Sequence, residues 1–115
     1  MEQEQKTIIE LYKYICKNES IRPIPIKFKK VGKGGACCNF EITRFYGKTY
    51  KKPIAIEIDL GRICVGAAWT LCHEVAHQIE ITCRNNSTHD KNFKSLEQSL
   101  VKKYTNCPLA KKLIF

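Results

Sequence analysis

The sequence has no apolar run approaching the roughly 20 residues that a bilayer-crossing helix needs, and the stretch MEQEQKTIIE at its start is polar and acidic. A secretory signal would place a basic stretch before an apolar one, so the expectation is a chain that stays in the cytoplasm. It has no C-x-x-C pair: its seven cysteines are an odd number at irregular spacing, with Cys37 and Cys38 adjacent. That pattern argues against a disulfide framework or a cysteine zinc site, and for reduced, small, buried apolar side chains. Acidic residues are scarce, 11 against 20 Lys and Arg, for a net charge of +9. Such a balance favours polyanions, nucleic acid first, although a solvated lysine-rich surface has the same composition. Internal repeats and low-complexity segments are absent. The glycines of GKGG, residues 32–35, lack the spacing and the following Lys-Ser/Thr of a phosphate loop and read as a hairpin turn.

Histidine is also scarce. There are three in 115 residues, and two of them fall in WTLCHEVAHQIE, residues 69–80, as H-E-x-x-H. On a helix, positions four apart stand one turn above each other on one face. His73 and His77 can therefore grip one metal ion from the same side, with Glu74 beside them in place to activate a water. Leu71, Cys72, Val75, Ala76 and Ile79 recur at helical spacing, so the motif lies on a half-buried helix. Burying two imidazoles without a partner is costly, and a metal is a good partner. The plain alternative is a surface helix that carries these residues by coincidence.

A catalytic zinc site takes three protein ligands and leaves one position open. Cys83 sits where H-E-x-x-H-x-x-G-x-x-H would place a third ligand, but Glu80 occupies the turn-forming glycine position of that pattern. Glu97 lies one helix downstream, as an acidic third ligand would, in an ordinary polar position of an amphipathic helix. His89 follows the polar loop 84–88 (RNNST), which lets the chain reverse, and opens the next helix. His89 is the favoured ligand, with Glu97 and Cys83 as the alternatives.

Along the chain, residues 2–17 read as a helix on Ile8, Leu11, Tyr12 and Ile15. Pro23 and Pro25 break it. Ile24, Ile26 and Phe28 alternate with polar residues as a strand, residues 36–46 as a second, and residues 54–60 (IAIEIDL) as a third. Gly47 turns the second strand, and residues 48–52 (KTYKK) read as a basic loop. The motif helix is expected over about 67–82 and a last helix over about 90–103, capped by Thr88 or Asp90. Asp90 is alternatively placed to hydrogen-bond a ligand imidazole. The tail from Pro108 is too short for a domain. Length and hydropathy imply one domain over residues 1–115, of class α+β: an N-terminal helix, a three-stranded antiparallel or mixed sheet, the motif helix and a C-terminal helix.

The motif T70-L-C-H-E74 with His77, followed after eleven residues by H89-D-K-N-F93, resembles the SprT-like (Spartan-type) family of zinc metalloproteases. The strand at Ile26-Lys27-Phe28 with Gly34-Gly35, and the strand before the motif helix, resemble the family more loosely, over about residues 5–105. The family's C-terminal zinc ribbon has no counterpart, so the likeness is to a minimal zincin-like form. The resemblance implies one Zn2+ held by His73, His77 and His89. It further implies an endopeptidase with Glu74 as general base, and protein substrates bound or crosslinked to DNA. Lys29, Lys30, Lys33, Lys51 and Lys52 are the candidates for attracting the DNA. Two rival readings use the same helix: a repressor-cleaving protease of the ImmA type with an acidic third ligand, and a non-catalytic DNA-binding module stabilised by zinc.

Overall fold

The computed structural model describes residues 2–30, 35–63 and 66–113. The order is α1 (Glu2–Glu19), β1 (Ile26–Phe28), β2 (Ala36–Phe45), β3 (Lys48–Ile58), α2 (Ala67–Arg84), α3 (Lys91–Tyr104) and a short α4 (Pro108–Lys111). The class is α+β, with one mixed sheet in the order β1-β3-β2. No helix among the described residues is long and apolar enough to cross a membrane.

The core is where the apolar stripes meet. Ile8, Leu11 and Ile15 of α1, Leu71, Cys72 and Val75 of α2, and Phe93 and Leu100 of α3 close on Ile56 and Ile58 of β3. Each of these is at most 1% exposed. Ala110 and Leu113 bring the tail onto the same core. The irregular segment after α1 is held by a buried relay. The Tyr12 hydroxyl donates to Gln78 Oε1 on α2 at 2.7 Å and accepts from Ile24 N–H at 2.9 Å, while Gln78 Nε2 donates to the Arg22 carbonyl at 2.7 Å. Every polar atom that the two side chains bury there has a partner, as burial requires.

Two expectations are corrected. Residues 32–35 do not join two paired strands. β1 runs parallel to β3, and β2 pairs antiparallel with the opposite edge of β3, so β1 and β2 are not neighbours. Gly32, Lys33 and Gly34 lie outside the described residues. Gly35 has φ +76°, and a Cβ there would come within 2.9 Å of the Arg62 and Ile63 backbone. The glycine at the entrance of β2 thus serves a left-handed conformation and a close chain crossing. Second, residues 48–52 are not a loop but the first half of β3. Tyr46 (φ 51°) and Gly47 (φ 75°) are both left-handed, the conformation of a two-residue turn that matches strand twist. Phe45/Lys48, Thr43/Tyr50 and Ile42/Lys51 then face each other across the ladder. Lysine content hid a strand whose Thr49 and Tyr50 are good strand formers.

Beyond Phe40 this hairpin leaves the globule. Residues 41–50 are all exposed, and the molecule extends 47 Å along its long axis against 27 and 22 Å across.

Candidate metal centre

Helix α2 runs unbroken through Glu80 to Arg84, so the chain does not turn where a glycine-containing pattern would turn it. It ends at Asn85, in the left-handed conformation (φ 55°), with the Asn85 and Asn86 N–H groups on the carbonyls of Ile81 and Glu80. The Asn86 side chain then shapes the return loop. Its amide donates to Glu80 Oε1 and Asp90 Oδ1, and its carbonyl accepts from Thr88 N–H and Oγ1. Asp90 caps α3 by accepting from Phe93 N–H at 3.0 Å, so its carboxylate serves the helix start and not an imidazole. These local bonds carry His89 back over α2.

His73, His77 and His89 meet there. Their candidate ligand nitrogens all lie within 4.8 Å of one another, and His77 Nε2 is 3.0 Å from His89 Nε2. Tetrahedral coordination with bonds near 2.0–2.1 Å sets ligand nitrogens roughly 3.3 Å apart, so the three histidines are close enough to hold one metal ion. Phe93, buried in α3, forms the floor, its ring centroid 5.2, 4.3 and 4.9 Å from those of His73, His77 and His89. Trp69, one turn before His73, stacks on it at 5.8 Å. Burial, then the neighbouring His73 and His89, pushes the His77 imidazole down to about 4. That holds it neutral, the form that coordinates.

In sequence Glu97 reads as a plain helix-surface residue or a third ligand. Instead its Oε2 meets His73 Nδ1, behind the ring. It orients the imidazole so that Nε2 faces the cluster, the arrangement carboxylates adopt behind metal-bound histidines. Spacing alone could have placed Glu97 on the face of α3 that carries His89 and Phe93. Only the crossing of α2 and α3 reveals its partner. Cys83 is exposed at the far end of α2 and borders a different cavity, beside Pro23, Pro53 and Thr82.

Glu74 lies beside the cluster, its Oε2 4.0 Å from His73 Nε2. It is 3% exposed, and its Oε1 is buried without a hydrogen-bond partner among the described residues. Burial, and next the charge of Glu97, pushes its carboxyl up to about 8. An orphaned carboxylate oxygen beside three converging imidazoles fits a metal ion and its water better than it fits an apo pocket, because an unpaired buried acceptor costs about 1–3 kcal/mol. The cluster and Glu74 open into a cleft of about 490 Å³ whose opposite wall is β2, through Ala36, Cys37, Cys38 and Phe40. The far edge of β2 carries no strand among the described residues.

The five lysines singled out in the sequence do not form one patch. Lys29 pairs with Glu57 at 3.1 Å. Lys30 lines a groove with Asp59 and Arg62, and Lys33 lies outside the described residues. Lys51 Nζ donates to Ser87 Oγ at 2.8 Å and sits over the Phe40 ring. Lys52 faces Glu41 across the ladder. Lys29 and Lys30 lie beyond Ile58, at the other end of β3, about 20 Å from Lys51 and Lys52 along the strand. Comparisons with protein-family models, curated proteins and solved structures return no match for this chain.

Proposed function

We propose that the chain is a zinc-dependent endopeptidase of minimal SprT-like form, acting on proteins bound or crosslinked to DNA. The observation that carries the reading is the pairing of a three-histidine cluster with the buried, unpartnered Glu74 on one wall of an open cleft. Three imidazoles with an open fourth position are the donor set of catalytic zinc. When bound, zinc supplies Lewis-acid polarisation of a substrate carbonyl and lowers the pKa of water towards about 7.

The rest of the chemistry belongs to this chain. Glu74 takes the proton of the attacking water and returns it to the leaving amine. Its depth in the cleft wall keeps that proton out of bulk solvent, and Glu97 fixes the ring of His73. An extended substrate added to the free edge of β2 would lie across the cluster with its backbone hydrogen-bonded to the strand. Glu97 is occupied behind His73, which favours His89 over an acidic third ligand and so favours this reading over the repressor-cleaving alternative. The DNA part rests on the resemblance and on the net charge of +9.

The test is metal content and hydrolysis of an unfolded protein substrate, for the native chain and for the Glu74→Gln and His89→Ala variants. The expected result is one zinc per native chain, zinc retained but hydrolysis lost in Glu74→Gln, and zinc lost in His89→Ala. Full function in Glu74→Gln would instead make the chain a non-catalytic zinc-stabilised module.

A further inference from the structure

The arm formed by residues 41–52 has no role in the cleft chemistry, and folding does not account for its large exposed apolar and aromatic side chains. Ile42 and Phe45 are each 59% exposed, Tyr50 is 49% and Tyr46 is 91%. The position of Tyr46 is the more telling fact. A two-residue turn of this kind favours Asn-Gly, since both residues take positive φ, and a bulky side chain there is strained. The chain sets a tyrosine at φ 51° and leaves its ring in water, with Phe45 edge-on at 4.4 Å. Around these rings the arm carries Arg44, Lys48, Lys51 and Lys52 against Glu41 alone. Arg44 and Lys48 make no ion pair or side-chain hydrogen bond among the described residues.

We propose that this arm is a binding element for single-stranded DNA, with bases stacking on Tyr46, Phe45 and Tyr50 and phosphates taken by Arg44 and Lys48. The proposal rests on the nucleic-acid part of the function proposed above and assigns that part a site. Flat rings interleaved with cations suit a strand whose base faces are open. A duplex hides those faces in its stack and presents only phosphates to such a surface. Geometry connects the arm to the cleft. β2 forms the cleft wall as far as Phe40 and continues into the arm. Tyr46 is thus about 20 Å from the cleft wall along one strand. A protein attached to DNA held on the arm would be presented to the cleft.

The test is fluorescence anisotropy with a labelled oligothymidine of about 15 nucleotides, within the usual range of single-strand sites, beside a duplex of equal length. Tyr46→Asn suits the left-handed turn and Tyr50→Thr suits the strand, so both variants keep the arm folded; an unchanged melting temperature verifies this. The expected result is tighter binding of the single strand than of the duplex, with a loss on the order of tenfold for each variant. Arg44→Gln with Lys48→Gln should reduce the slope of log affinity against log salt by about 1.4. Native binding that both aromatic variants leave intact would overturn the arm's role while the nucleic-acid reading stood. Absence of binding at low ionic strength would overturn both and leave the peptidase reading to its own metal and hydrolysis test. A concentration-dependent dimer abolished by Tyr46→Asn, with no oligonucleotide bound, would assign the arm to a second copy of the chain instead.

Discussion

The contact between Glu97 and His73 Nδ1 decides which nitrogen of His73 is free for a metal, and it predicts a graded defect. Glu97→Gln keeps the shape and a hydrogen-bonding group but loses the charge. Metal affinity should fall roughly 10- to 100-fold, measured by competition with a chelator, with the fold intact. His73, Glu74, His77 and His89 could be read from spacing because helix periodicity fixes neighbours four apart, and a short polar loop limits how far the next helix can start. Glu97 could not be read so, because its partner is 24 residues upstream and only packing between two helices brings them together. The same holds for Tyr12 and Gln78, 66 residues apart, each of which looks like an ordinary helix-face residue in sequence. Asp90 was legible as a cap because capping is local.

At the scale of elements, helices α1, α2 and α3 lie close to where periodicity puts them. The strands were legible in number but not in pairing or extent. Alternation identifies a strand without saying which edge it joins, and β1 is only three residues long. The basic run 48–52 resembles a loop until Tyr46 and Gly47 are known to be left-handed. Gly35 is a tight point of this layer, closely approached by backbone. Gly35→Ala forces a Cβ against backbone that cannot rotate away in a conformation alanine disfavours, for an expected loss of about 2 kcal/mol or more. Urea unfolding checks it as a lower midpoint at unchanged slope. An unchanged midpoint would mean that the crossing of β2 over residues 62–63 relaxes freely.

Over the whole molecule, the candidate metal centre makes stability depend on pH. Glu74 is held above its ordinary value of 4.5, up to about 8, chiefly by burial and then by Glu97. A raised acid makes stability fall as pH rises from 4.5 to 8. His77 is held below its ordinary 6.5, down to about 4, which makes stability rise between 4 and 6.5. In the metal-free protein the two trends offset each other between about 4.5 and 6.5. Above that, of these two, Glu74 alone still titrates, and its share is a loss of about 2 kcal/mol by pH 8. A cation beside Glu74 favours its carboxylate, so metal loading removes the loss, and Glu74→Gln removes it without metal. Melting temperatures in chelator at pH 6.5 and 8 check this; equal values for the native chain would mean that Glu74 is hydrated.

Asn85 ends α2, the helix that carries His73 and His77, and its side chain does a second job. Its amide donates to the Thr49 carbonyl at 2.7 Å, and its oxygen accepts from Lys51 N–H at 2.6 Å. One carboxamide thus stands in for a strand on the free edge of β3, at the root of the protruding hairpin. The hairpin is a lever, and Asn85 is its fulcrum, bolted to the last turn of the helix that carries His73 and His77. Whatever weight hangs on the lever's tip is therefore aimed by the same residue that fixes where α2 stops, and a load that tilts the lever pulls on that helix.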